Sequence, residues 1–484
     1  MDPTLELRSA TELAAAIAAR RISCLELCDA CLRRIERLNP VLNAVITLDG
    51  ERARSRARAL DEQLARGELA RPLHGLPITI KDAYETAGMR TTCGTHEWEE
   101  HVPERDADPV RRLVEAGAVV LGKSNVPAYC SDLQTFNELF GVTRNPWDLT
   151  RTPGGSSGGA AAAVASGMTA FELGSDIGGS IRTPCGWSGV YGHKPTHGIV
   201  PLLGHLPPAP GTLVQPDLGV GGPIARSAED LALVLSVIAA PNPAQAVAYR
   251  FALPPPRARS LREFRVGAWL HDPDFPLADA VASQLEQTVI ALERAGVRVD
   301  RGLNPGVPLR EIFDDYLALL TPVTLREATP ELLERLAQRA RAQDDEPRVA
   351  HIARAALARH IDWLVIHERR ARLSARFAEL FRSCDVLLCP ITPVSAIAHD
   401  HRSSLHRRTF ALGGSTRRHT DMMAWISPAT ACHLPATAAP IGRTREGLPV
   451  GVQIVGPYLE DLTPIAFAAQ LREVIGGYEV PPNA

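Results

Sequence analysis

The chain has 484 residues, 45% of them hydrophobic and 22% charged, with a formal net charge of −3. That balance excludes a disordered or fibrous chain, allows a large buried core, and gives no chain-wide attraction to nucleic acid or to an anionic membrane. Nine cysteines, an odd number over this length, do not make a disulfide framework, so a reduced, cytoplasmic setting is expected.

The opening MDPTLELRSA has no basic stretch leading into an apolar run, so no signal peptide is expected. Helices are predicted over Thr11–Arg20 and Ser23–Leu38, the second stopped by Asn39–Pro40. Cys24, Cys28 and Cys31 share one face of that second helix and read as packed apolar residues rather than metal ligands. A third helix, Ala53–Arg66, ends at Gly67. The apolar run Leu76–Ile80 reads as a strand that delivers Lys81 to its end. Pro109–Ala116 is then helical and Ala118–Leu121 extended. The alternation that follows predicts an α/β protein, a large mixed β-sheet with helices on both faces.

Gly158–Ser166 is a small-residue helix closed by Gly167; its free N–H groups point back at Ser156 and Ser157 in the loop GGSSGG. Ala170–Leu173 is a strand leading to a second glycine turn, SDIGGSIR. Thr183 and Pro184 supply an N-cap and first helical residue, so Ser180 sits just ahead of a helix. The longest apolar stretch, Leu231–Ala240, is too short to span a bilayer. Strands follow at Arg265–Leu270, Val297–Val299, Asp385–Leu388 and Val450–Val455. Between them Leu325–Arg382 is charged and helical, broken near Asp344–Pro347.

Two glycine-flanked serine sites and a lysine in an apolar run form a set suited to acyl transfer. Glycine beside a serine lets backbone N–H groups reach an oxyanion, and a lysine kept neutral by burial replaces histidine as base. Ser180 is the best nucleophile, because Ile177, Gly178, Gly179 and its own N–H can cradle a carbonyl oxygen. A second serine can relay the proton to Lys81. Taken singly, each feature is also an ordinary turn or strand end. Gly155–Gly159 matches the G-x-S-x-G elbow, but NPWDLTRTP before it is no buried strand. GGSSGG is not followed by G-K-[ST], so it is not a phosphate loop. His399, His401 and His406 lie in the polar run HDHRSSLHRR and read as a solvated loop rather than a metal site.

In GLPITIKDAYETAGMRTTCG, LGKSNVPAY, FGVTRNPWDLTRTPGGSSGGAAAAVASG, LGSDIGGSIRTPCGWSGVYGHKPTHG and GLPVGVQIVGP, the chain resembles the amidase signature family, from about residue 8 to 475. The resemblance implies that Ser180 is the nucleophile, Ser156 the bridging serine after a cis peptide bond from Gly155, and Lys81 the base. It also implies that Ser157 bonds Lys81, that Ile177–Ser180 form the oxyanion hole, and that Asp176 and Arg182 brace the glycine loop. The fold it implies is a single domain over 1–484. Helices at 11–38 precede a core of about 60–310 and 384–475, with a variable helical segment at about 311–382. That last segment is a lid, an oligomer surface or an insertion.

The implied reaction is hydrolysis of an amide, or a related carbamate, through an acyl-enzyme, without cofactor or metal. Pocket residues are expected from Ala128–Leu133, Leu202–Asp217 and Leu309–Leu320, with Cys130, Ser131 and Trp187 as candidate linings. A small-molecule amide or carbamate substrate, no nucleic acid, no membrane and a homodimer are the expected partners. The same residues also fit the member of a tRNA-dependent amidotransferase that releases ammonia from glutamine.

Overall fold

A computed structural model describes residues 5–341, 347–402, 405 and 407–484. Eleven strands form one sheet. They are β1 (Val45–Leu48), β2 (Pro77–Lys81), β3 (Val119–Ser124), β4 (Phe171–Asp176), β5 (Tyr191–Lys194), β6 (Val220–Ala225), β7 (Arg265–Ala268), β8 (Arg298–Asp300), β9 (Val386–Pro390), β10 (Ala436–Arg443) and β11 (Pro449–Val455). Their spatial order is β1-β3-β2-β4-β6-β5-β10-β11-β9-β7-β8. Pairing is parallel between β3, β2 and β4 and between β9, β7 and β8, and antiparallel elsewhere. The fold is thus the mixed α/β sheet that the sequence predicts.

Strand alternation sorts the core into two apolar clusters. Ile78 and Ile80 of β2, and Val452 and Ile454 of β11, enter one cluster with Leu27, Leu231, Leu285 and Phe467. Val455 of β11 enters the other, with Phe313, Tyr316, Phe377 and Trp425. Cys24, Cys28 and Cys31 are buried in the first cluster, as their helical spacing predicts.

Three boundaries differ from the sequence reading. The second helix runs Cys24–Leu42, through Pro40, because Asn39 anchors its last turn. The Asn39 side chain accepts from the N–H groups of Ala44 and Val45, each at 2.8 Å, and donates to the Val45 carbonyl at 2.7 Å. The helix after Ser180 is Arg182–Ser188 with Ile181 at the cap, so the turn is tighter than Thr183–Pro184 implies. The helix Leu309–Thr324 lies mostly in the segment expected to vary, yet it buries Ile312, Phe313, Tyr316 and Leu319 in the core. Beyond it come helices Pro330–Arg341, Pro347–Ala356 and His360–Ser383; Asp344, in the expected break, lies outside the described residues.

The all-buried helix Gly158–Ala165 lies against the sheet because its side chains are almost nothing but hydrogen and methyl. Gly159 is the point where the helix meets neighbouring backbone most closely. A Cβ there would sit 2.4 Å from the Asn125 nitrogen and 2.5 Å from its carbonyl oxygen, which are backbone atoms that cannot rotate away. Gly159→Ala is expected to cost about 3 kcal/mol, the scale of core overpacking, read as a lower urea midpoint at unchanged slope. An unchanged midpoint would show that the helix slides freely.

Candidate functional site

The alternation that sends Ile78 and Ile80 into one core turns Thr79 and Lys81 the other way, toward the two glycine turns. These turns are held side by side by the Ser157 N–H, which donates to the Ser180 carbonyl at 3.1 Å. Lys81 Nζ lies 2.7 Å from Ser156 Oγ, 2.9 Å from Ser157 Oγ and 2.9 Å from Ser175 Oγ, with the Ser175 carbonyl at 3.4 Å. The structure therefore brings Lys81, Ser156 and Ser157 into contact and sets Ser180 in the adjoining turn; the Gly155–Ser156 peptide bond is cis.

Lys81 is fully buried. Among the described residues it touches hydroxyl and carbonyl oxygens and no carboxylate. Burial pushes its pKa down, offset only in part by the charges of Cys130, Cys93, Asp176 and Glu172. An amine in this nest gains hydrogen bonds but no counter-ion, so its free-base form is favoured relative to a lysine in water.

The second turn is clamped by a buried ion pair. Asp176 accepts from Arg182 Nη2 at 2.8 Å and Nε at 3.1 Å, and from the N–H groups of Gly179 and Ile181 at 3.0 Å each. Burial is the largest single influence and would raise the Asp176 carboxyl, but the charge and hydrogen bonds of Arg182, with the Lys194 charge and the Ile181 amide, together hold the pKa down to about 2. Arg182 also donates to the Ile426 carbonyl at 2.9 Å, to Gln453 Oε1 at 3.0 Å and to Thr430 Oγ1 at 2.7 Å.

One consequence alters the expected oxyanion cradle of Ile177, Gly178 and Gly179. The Gly179 N–H is spent on Asp176, which leaves the amides of Ile177, Gly178 and Ser180 as donors without a partner among the described residues. Tyr316 Oη steadies this cradle by donating to the Ile177 carbonyl at 2.9 Å. A Cβ on Gly178 would meet Met423 Sδ at 3.3 Å and Tyr316 Oη at 3.4 Å. Sequence reasoning missed Met423 and Ser175, and reached Tyr316 only through its stretch Leu309–Leu320. Met423 and Tyr316 arrive on distant helices that no local motif marks, whereas Ser175 stands in SDIGGSIR itself.

The three candidate linings separate. Cys130 is half-buried, with its sulfur 3.7 Å from that of Cys93. Ser131 is exposed, and its hydroxyl closes a turn on the Ala128 carbonyl at 2.9 Å. Trp187 is a packing residue, 2% exposed, whose indole N–H donates to Thr392 Oγ1 at 3.1 Å and the Val394 carbonyl at 3.0 Å.

Two histidine clusters bear on metal binding. His401 rests on the Phe136 ring at 4.1 Å and His399 on His401 at 5.2 Å, so both pack rather than stand in a solvated loop; His406 lies outside the described residues. Among the described residues, His197, Asp217 and His433 bring ligand atoms within 4.8 Å of one another. Arg370 Nη1, however, is 2.7 Å from Asp217 Oδ2 and 3.3 Å from His433 Nε2. A guanidinium stands where a cation would, and the donor set does not fit a metal. Among the described residues no helix is long and apolar enough to cross a membrane.

A family model described as Amidase matches residues 26–463. The chain is similar to a glutamyl-tRNA(Gln) amidotransferase subunit of Acidothermus cellulolyticus, 34% identical over 94% of this chain and 92% of the relative. It is likewise similar to the protein of the same name from Halorhodospira halophila, 33% identical over 98% of this chain and 99% of the relative. A solved structure described as an amidase superposes with a TM-score of 0.79 at 30% identity, over 97% of this chain and 100% of the other. These similarities overturn the expectation of a small-molecule substrate alone, with no nucleic acid, since the relatives are named as subunits of a glutamyl-tRNA(Gln) amidotransferase. A net charge averages the whole surface and does not describe one face of a protein within an assembly.

Proposed function

Given that the chain belongs to the amidase signature family, whose enzymes act on amide C–N bonds, we propose that it is the ammonia-releasing component of a tRNA-dependent amidotransferase. In this reading Ser180 Oγ attacks the amide carbonyl, and its proton passes through Ser156 to the neutral amine of Lys81. The amides of Ile177, Gly178 and Ser180 hold the oxyanion. The proton then returns to the leaving nitrogen, ammonia departs, and water or a partner nucleophile clears the acyl-enzyme. Ser157 and Ser175 keep the amine aimed at Ser156. The observation that carries the chemistry is the buried, carboxylate-free contact of Lys81 with three serine hydroxyls. What supports the assembly is the similarity to the amidotransferase subunits over nearly the whole of both chains.

A second reading, a stand-alone amide hydrolase, is favoured by the solved amidase that covers 97% of this chain at 30% identity. One experiment separates the two. Ammonia release from glutamine is measured for the chain alone, and then with the other subunits of its own amidotransferase and glutamate-charged tRNA; an aryl amide is tested alongside. The leading reading expects about a tenfold or greater rise in glutamine turnover on assembly, the scale of a 1.4 kcal/mol coupling. Rapid turnover of the aryl amide by the chain alone, with glutamine untouched in either setting, would replace it with the second.

A further inference from the structure

We propose that Cys93 and Cys130 are a redox-active thiol pair beside the candidate site, which peroxide closes to a disulfide and which switches amide cleavage off when closed. Their sulfurs are 3.7 Å apart although the residues come from separate loops. They share a small cluster with Ala83, Trp98 and Leu206. A disulfide needs a sulfur separation of about 2.05 Å, so closure asks for a shift well under the reach of two side-chain rotations and a small loop movement. Both cysteines and Tyr129 hold left-handed backbone, at φ of +50°, +54° and +53°, a conformation that non-glycine residues take up when their surroundings require it.

Within the pair Cys130 is the reactive member, whereas burial pushes the Cys93 thiol up. Cys130 is half-buried, while the remaining eight are buried. A hydrogen bond from the Cys93 thiol, with a smaller one from Ser156, favours its thiolate against the cost of burial. Burial pushes Cys28 and Cys31 the other way, up to about 11 and about 12. The chemistry balances with peroxide as oxidant. The Cys130 thiolate attacks one peroxide oxygen, the O–O bond breaks, and hydroxide leaves and takes a proton to become water, giving a sulfenic acid. The Cys93 sulfur attacks that sulfenic sulfur, the S–O bond breaks, and the hydroxyl leaves as water with the Cys93 proton. Two thiols are oxidised and one peroxide is reduced to two waters.

Closure reaches the site from two directions. Cys130 gives up the thiolate that the Ser156 hydroxyl favours. Cys93 pulls on Thr92, whose N–H donates to both Asp82 carboxylate oxygens at 3.1 and 3.2 Å, and Asp82 is the residue next to Lys81. A displacement near 1 Å at catalytic groups lowers turnover by about a hundredfold. The loss of activity rests on the proposed roles of Lys81 and Ser156, whereas formation of the disulfide does not.

The test treats the purified full-length protein with a small excess of hydrogen peroxide, then with dithiothreitol, and reads a peptide map and amide hydrolysis together. The expected result is a Cys93–Cys130 cross-link with activity down by tenfold or more, both reversed by dithiothreitol, which does not reverse oxidation of Met423. In Cys93→Ser the cross-link is absent and dimedone labels Cys130; Cys130→Ser serves as the second variant should the first fail to fold. No cross-link in the oxidised wild type, or a cross-link with full activity, would overturn the proposal. Full hydrolysis by Lys81→Ala would instead remove the catalytic reading and leave the cross-link standing.

Discussion

Ser180→Ala is expected to lower kcat/KM for amide cleavage by about 10⁵- to 10⁶-fold, as loss of a catalytic nucleophile does elsewhere. The residue is 6% exposed, in a turn fixed by the Asp176–Arg182 clamp rather than by the hydroxyl itself, so the thermal midpoint should hardly move. Two readings check the assignment. The variant should give no hydroxylamine-trappable acyl group, and its residual rate should come only from substrate binding and the amide cradle, about 10³-fold over water. Wild-type turnover in the variant, or an acyl group recovered on another residue, would end the case for Ser180.

Asp176→Ala should cost about 3–5 kcal/mol of stability, because it leaves the Arg182 guanidinium buried without its counter-charge. Both side chains are fully enclosed, so water cannot take the place of the lost carboxylate. The Gly179 and Ile181 amides lose their acceptor at the same time, and the cradle loosens with them. The pH dependence follows from the sign of the shift. The carboxyl is held down to about 2 in the folded chain, against about 3.9 in an unfolded one. Its stabilising share is therefore present above about pH 4 and lost as pH falls through about 2. Urea titrations across that window should show a steeper acid loss in the wild type than in the variant. Parallel curves would mean that the clamp carries little of the folding energy.

Much of this is readable in the chain because the informative residues are close in sequence to the structure they create. GLPITIK announces a buried strand ending in a cation, and the glycines of GGSSGG and SDIGGS announce turns in which backbone approaches a ligand. Lys81, Ser156 and Ser157 then meet because β2 alternates and the turns follow neighbouring elements. What the chain conceals are contacts made across it. Tyr316 reaches Ile177 from a helix that its charged continuation disguises as variable surface, and Met423 covers Gly178 from far downstream. Asp176 is legible as a brace, but not its capture of the Gly179 amide, which depends on the rotamer within the turn. Trp187 resembles a lining because it follows the glycine turn; the fold instead turns its indole toward Thr392 and Val394. The nearly neutral charge is the weakest guide, since it is silent about assembly.

Arg182 binds Ile426, Thr430 and Gln453, and β5 acquires its neighbour β10 only when the C-terminal strands exist. During synthesis the serine turns thus emerge long before the groups that lock them. A polypeptide that stops short of these residues would carry the serines and the lysine without the partners that hold Arg182 and β5 in place.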